Sequence, residues 1–151
     1  MIYRAITSFL LAPTVLGFGH LVEIPPTPQI KEVHKRMVEV IDQGFCAEWG
    51  FTALSAGWQP DDLPQLFQFM YRESRCLPLA CSTPDRPDLR LCRDWGLMQI
   101  NDYSWKSTVR NMGMEMSDMH DPYLNLVFAR WLFEYSEERN GCGWQPWYGK
   151  C

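Results

Sequence analysis

Six cysteines constrain this chain more than any other feature of its sequence. They are Cys46, Cys76, Cys81, Cys92, Cys142 and Cys151. An even number of cysteines in a short chain is typical of disulfide-bonded proteins from oxidising compartments. A structural zinc site usually contains closer pairs such as Cys-x-x-Cys, and no histidine lies near these cysteines at ligand spacing. We therefore predict disulfides, although the spacing leaves many pairings open.

The N-terminal segment also suggests an oxidising compartment. Arg4 precedes AITSFLLAPTVLGFG, a short apolar stretch after a positive charge, as in a secretory signal. Pro13 and two glycines interrupt it, and it is short for a membrane span. We expect a signal or a weakly membrane-associated anchor in residues 1–29, which end in the linker EIPPTPQ; an ordinary buried segment is the alternative. Residues 30–151 are then the folded domain of a secreted, periplasmic or virion-associated protein.

Composition narrows the possible functions. The net charge of −4 provides no basic surface, which argues against a nucleic-acid-binding protein. The seven tryptophans suit a groove for sugar rings, because flat aromatic faces pack on apolar C–H faces, but they suit a hydrophobic core equally well. Both interpretations remain open at this point.

Helical periodicity dominates the chain. Helices are predicted at about residues 31–42, 61–74 and 122–140. Asp61 or Asp62 can cap the second helix and Asp121 the third, each with a proline in the first turn. Asn140–Gly141 ends the third helix. Apart from a possible short hairpin within 89–98, no strand pattern is convincing, so we predict a mainly α (α+β) fold.

Carboxylates are the best candidates for catalysis. The sequence contains no Gly-x-Ser-x-Gly, no His-Glu-x-x-His and no glycine-rich phosphate loop. Glu73 follows Leu66 by about two helical turns, which places it on or beside the apolar face of the second helix. Burial there would raise its pKa and make it a general acid. The alternative is a solvated Glu73, or one paired with Arg72 or Arg75.

Three motifs together resemble a known superfamily. Glu-Ser at 73–74 followed by GLMQIN at 96–101 resembles the soluble lytic transglycosylases and many phage lysins. DWGLMQIN at 94–101 is also similar to a run in c-type lysozymes, and Asp121–Pro122 with Asn125 resembles the transglycosylase helix that follows. The chain therefore resembles the lysozyme-like superfamily over roughly residues 45 to 150. The resemblance implies a lysozyme-like fold, with a disulfide-stapled helical domain and a small hairpin or loop lobe.

The resemblance also implies a function. Members of this superfamily cleave the β-1,4 bond between N-acetylmuramic acid and N-acetylglucosamine in peptidoglycan, and Glu73 would be the general acid. Substrate contacts are expected from Ser74, Gly96, Gln99, Asn101 and Tyr103. We expect peptidoglycan glycan strands as the partner, a monomeric enzyme, and neither a metal nor an organic cofactor.

Asp94 decides which mechanism the resemblance implies. It occupies the position of the second carboxylate of c-type lysozymes, where it would support hydrolysis. Lytic transglycosylases instead use one glutamate as acid and then base, and the substrate's own 6-hydroxyl closes an anhydro ring. A structural Asp94 would pair with Arg90 or Arg93. A different class of protein also remains possible: a catalytically silent lysozyme-like protein that binds glycan or has a structural role in a virion.

Overall fold

The computed structural model describes Lys35, residues 44–83 and residues 92–148. The two longer segments contain helices α1 (Gly50–Ser55), α2 (Leu63–Ser74), α3 (Asp102–Asn111), α4 (Pro122–Asn140) and α5 (Gln145–Tyr148). Strands β1 (Asp94–Trp95) and β2 (Ile100–Asn101) form an antiparallel hairpin. Single 3₁₀ turns span Ala47–Trp49, Pro60–Asp62 and Met116–His120. The predicted mainly α fold is confirmed.

Helix α4 follows the sequence prediction from end to end. The Asp121 side chain accepts a hydrogen bond from the Leu124 amide at 2.9 Å, and Pro122 occupies the first turn. Gly141 ends the helix in a left-handed conformation with φ of 66°, which glycine adopts at little cost. Its buried side includes Phe128 and Leu132. The local start and stop signals were therefore sufficient to define this helix.

Helix α2 is also confirmed, but its N-terminus is built differently from the prediction. Asp62 occupies the N-cap position without bonding a helix amide. Its carboxylate instead accepts from the Gln59 backbone at 3.2 Å and from Arg130 at 3.2 Å. Asp62, which the sequence predicted as a cap of the helix, therefore stabilises the preceding 3₁₀ turn instead. Arg75 ends α2 with φ of 56°.

The hairpin lies later in the chain than predicted. Its register pairs Asp94 with Asn101 and Trp95 with Ile100, and Cys81 forms an isolated bridge to Trp95. Asn101 also caps α3, because its side-chain oxygen accepts from the Ser104 amide at 2.9 Å. Helix α3 was not predicted from the sequence.

The predicted disulfides are present. Cys46 bonds Cys76, Cys81 bonds Cys92, and Cys142 is also disulfide-bonded. The first bridge ties the segment before α1 to the end of α2, and the second closes the loop that leads into β1. The second bridge lies directly beside the hairpin, because Cys81 also pairs with Trp95.

The core lies between α2, α4 and the hairpin. Its largest fully buried side chains include Trp58, Phe128, Leu66, Met70 and Met98. Among the described residues, no helix is long and apolar enough to cross a membrane. The predicted signal, linker and first helix lie outside the described residues, except for Lys35, which is helical and exposed.

Candidate active site

A cavity of about 340 Å³ opens where α2, the hairpin and the C-terminal helices meet. It is lined by Glu73, Asp94, Gln99, Ile100, Asn101, Trp105, Leu132, Pro146 and Trp147. Four of the seven site residues predicted from the sequence are therefore together: Glu73, Asp94, Gln99 and Asn101. The size is that of a small-ligand site.

Glu73 enters this cavity from the last turn of α2. Its side chain is 25% exposed and forms an ion pair with Arg72. Arg72 Nε donates to Glu73 Oε1 at 3.1 Å, and a terminal guanidinium nitrogen donates to the same oxygen. Arg75, the other candidate partner, lies over the Tyr71 ring at 4.6 Å. Glu73 is thus both in the cavity and paired with its preceding residue.

Asp94 faces the same cavity from β1. The strand register places it opposite Asn101, whose side-chain Nδ2 donates to Asp94 Oδ1 at 2.6 Å. The ion pairs found within the described residues do not join Asp94 to Arg93, and Arg90 lies outside that part of the chain. An amide therefore orients this carboxylate, and one of its oxygens is already engaged.

The turn at 96–99 is held by its own side chains. Gln99 has φ of 49°, and its Nε2 donates to the carbonyls of Gly96 at 2.9 Å and Ala80 at 3.3 Å. Gly96 has φ of +73°, and a Cβ there would collide with the Met119 carbonyl oxygen and Asn125 Nδ2. Glycine is therefore needed at position 96 because the backbone there packs closely against the 3₁₀ turn before α4. The sequence had instead suggested that Gly96 lets the backbone come close to substrate.

Asn125 holds that turn from the other side. It is fully buried in α4, and its Oδ1 accepts from the Met98 amide at 3.0 Å. Its Nδ2 donates to the carbonyls of Trp95 at 3.0 Å and Met119 at 2.8 Å. The sequence used Asn125 only as part of a resemblance. Its position in an otherwise apolar helix face was the available signal for a structural role.

The aromatic and apolar walls of the cavity were missed by sequence reasoning. Trp105 comes from α3, Leu132 from α4, and Pro146 and Trp147 from α5. Trp147 Nε1 donates to the Met98 carbonyl at 2.9 Å, which joins α5 to the 96–99 turn. The available sequence signal was the tryptophan content, which suited a sugar groove and a hydrophobic core equally and did not single out Trp105 or Trp147.

Two other predicted contacts lie away from the cavity lining. Ser74 is buried, and its hydroxyl donates to the Met70 carbonyl at 2.9 Å. Tyr103 is 96% exposed on the first turn of α3. Ser74 therefore stabilises the end of the helix that carries Glu73, and Tyr103 lies in solvent.

A second cavity of about 370 Å³ continues from the first. The two share Asn101, Trp105, Leu132 and Pro146, and Tyr135 and Gln145 are among the further lining residues. The lining of the second cavity contains no ionisable acid or base other than the Tyr135 hydroxyl. Together the cavities form an elongated groove along α3, α4 and α5.

His120 lies behind the hairpin, outside both cavity linings. Its ring packs against Trp95 with centroids 4.9 Å apart, and its Nε2 is buried without a hydrogen-bond partner among the described residues. Burial lowers the pKa of His120 below its ordinary value of 6.5, and a hydrogen bond with the Ala80 backbone acts in the opposite direction. A neutral His120 therefore suits the folded state.

Comparison with protein families identifies the domain. Residues 53–146 match the Transglycosylase SLT domain, and this segment contains α2, the hairpin, α3 and α4. Comparisons with curated proteins and with solved structures gave no match. Proteins of this family generally cleave peptidoglycan by lytic transglycosylase-type chemistry, and the family and the disulfides together indicate an extracytoplasmic protein. With more than half of its length matched, the chain belongs to the transglycosylase SLT domain family of the lysozyme-like superfamily.

Proposed function

We propose that this protein cleaves peptidoglycan glycan strands between N-acetylmuramic acid and N-acetylglucosamine, with Glu73 as the general acid. The observation that carries the proposal is the position of Glu73 in the cavity of a transglycosylase domain, facing Asp94 and the polar residues Gln99 and Asn101. Trp105 and Trp147 provide flat apolar walls against which sugar rings can pack. The adjoining second cavity, which shares four lining residues with the first, gives room for more than one sugar.

In the first step, the Glu73 carboxyl donates its proton to the glycosidic oxygen. The bond from that oxygen to the muramic acid C1 breaks, and the electron pair leaves with the N-acetylglucosamine hydroxyl. The remaining sugar carries oxocarbenium-like positive charge, which the newly formed Glu73 carboxylate and Asp94 can stabilise. Glu73 then accepts a proton from the nucleophile that attacks C1.

The nucleophile in this proposal is the 6-hydroxyl of the same muramic acid residue, which gives a 1,6-anhydro product. The family supports this choice. The hydrogen bond from Asn101 also supports it, because it occupies one Asp94 oxygen that could otherwise act as a base toward water. Hydrolysis by water is the second candidate, because Asp94 does line the cavity opposite Glu73. The two routes differ in product, not in the role of Glu73.

The test compares wild type with Glu73→Gln on purified peptidoglycan sacculi. Wild type should lower the turbidity of the suspension, and Glu73→Gln should not, because an amide cannot donate the required proton. Glu138→Gln is the matched control, since Glu138 is exposed on α4 and outside both cavity linings. Mass spectrometry of the released muropeptides distinguishes anhydro ends from reducing ends.

A catalytically silent glycan-binding protein would behave differently. It would sediment with sacculi without releasing soluble fragments, and the wild type and Glu73→Gln would be indistinguishable. Equal turbidity loss by the two proteins would exclude Glu73 as the acid.

A further inference from the structure

The ion pair between Arg72 and Glu73 joins two successive residues of one helix. Successive side chains on an α-helix project about 100° apart and do not normally face each other. Yet two nitrogens of Arg72 contact the same oxygen of Glu73. Contacts from outside the helix must therefore hold the guanidinium in place.

Within the described residues, the Trp147 carbonyl provides such a contact from α5, and the Phe69 ring, one turn earlier on α2 itself, provides a second support. A terminal nitrogen of Arg72 donates to the Trp147 carbonyl at 2.8 Å, across 75 residues of sequence. The guanidinium carbon also lies 4.7 Å from the centroid of the Phe69 ring, within the range of a cation–π interaction. The Arg72 side chain is 35% exposed, so it is packed on several sides but still reached by solvent.

Trp147 continues this connection to the opposite wall. Its carbonyl accepts from Arg72, and its indole nitrogen donates to the Met98 carbonyl at 2.9 Å. A continuous path of contacts therefore runs from Glu73 through Arg72 and Trp147 to the 96–99 turn. It links α2, α5 and the hairpin, which are three of the walls of the cavity.

We propose that Arg72 is a positioning residue that fixes the orientation of the Glu73 carboxyl group. This rests on the proposed function of Glu73. Both Arg72 contacts go to Oε1, so Oε2 is the oxygen that carries the proton toward the substrate. The arrangement suits arginine, because two nitrogens of one planar guanidinium reach Oε1 while one of them also reaches the Trp147 carbonyl, and a lysine ammonium lacks this planar set of donors.

The experiment measures kcat and KM for soluble glycan strands with wild type, Arg72→Gln, Arg72→Lys and Arg75→Gln. In Arg72→Gln, we expect kcat to fall by about tenfold or more because the carboxyl group is less well oriented, while KM stays near the wild-type value. Arg72→Lys should also show a reduced kcat, because it keeps the charge but loses the planar guanidinium that holds the carboxyl group. Thermal unfolding of each variant reports whether the fold is retained.

Arg75→Gln is the matched control because it removes the same charge at the same helix end, where Arg75 contacts Tyr71 and not Glu73. Its kcat and KM should match wild type. Wild-type kcat in Arg72→Gln, or an equal loss of kcat in Arg75→Gln, would overturn the specific role of Arg72. Full kcat in Arg72→Lys would overturn the positioning role. Activity retained by Glu73→Gln would instead refute the proposed function, whatever the Arg72 variants show.

Discussion

Asn125→Leu tests whether the cavity wall depends on one buried amide. The substitution keeps the number of side-chain heavy atoms and the branch at Cγ, so it removes the hydrogen bonds without leaving a cavity. Wild-type Asn125 makes three of them, with the Met98 amide and the carbonyls of Trp95 and Met119, at 2.8 to 3.0 Å. Because the site is fully buried, water cannot readily replace the lost partners.

The expected loss follows from these contacts. Each buried hydrogen bond contributes about 1 kcal/mol net, and a stranded buried polar group costs about 1–3 kcal/mol. Three bonds therefore correspond to a decrease of at least about 3 kcal/mol in the free energy of unfolding. For a domain of this size, that loss lowers the melting temperature by roughly 10 °C. Activity should fall as well, because the 96–99 turn loses its anchor to α4.

The measurement is urea unfolding of the disulfide-intact protein, followed by tryptophan fluorescence and far-UV circular dichroism. Asn111→Leu is the matched control, since Asn111 is exposed at the end of α3 and should change stability by less than about 0.5 kcal/mol. Equal unfolding free energies for Asn125→Leu and Asn111→Leu would refute the structural role assigned to Asn125.

Two further predictions concern the same region. Gly96→Ala should destabilise the fold by about 2–4 kcal/mol, because it combines positive φ with a collision at Met119. Gly113→Ala, with φ of +79° and open space around it, should cost only about 1 kcal/mol; equal losses would contradict the packing argument. Since the folded-state pKa of His120 lies below 6.5, the unfolded chain takes up its proton first, and stability should decline as pH falls below about 6.5. His120→Phe should flatten that decline in urea unfolding between about pH 7.5 and 5.5, and an unchanged slope would exclude His120 as its source.

The sequence predicted helices where start and stop signals are local. Asp121, Pro122 and Gly141 define α4 within a few residues of its ends, and the fold confirms them. Helix α3 was missed because it is largely polar and Val109 is its one buried residue, so it offers few apolar positions from which to recognise a helix. The hairpin was misplaced because two-residue strands are too short to show alternation.

In the candidate site, too, the residues in local motifs could be predicted and those brought in by long-range contacts could not. The chemical residues Glu73 and Asp94 could be named from motifs because each motif is continuous in sequence. The wall formed by Trp147 could not, because its contacts with Arg72 and Met98 span 75 and 49 residues. The sequence offered the pairing of Arg72 with Glu73 as one alternative. It could not show that the Trp147 carbonyl holds Arg72 in place, because that contact depends on the tertiary structure.

The polar motif around residues 96–101 is largely engaged within the protein itself. Gln99 donates to two backbone carbonyls, Asn101 caps α3 and bonds Asp94, and Gly96 makes room for Met119. A loss of activity after substitution of Gln99 or Gly96 would therefore not by itself demonstrate contact with substrate, because the same change disturbs the wall that faces Glu73. Only variants whose unfolding free energy is preserved can report on substrate binding. By that criterion, Trp105 in the groove wall is a more informative target than the motif. Trp147 joins α5 to Met98 and Arg72, so Trp147→Phe has to be compared with the Arg72 variants that break the same path of contacts.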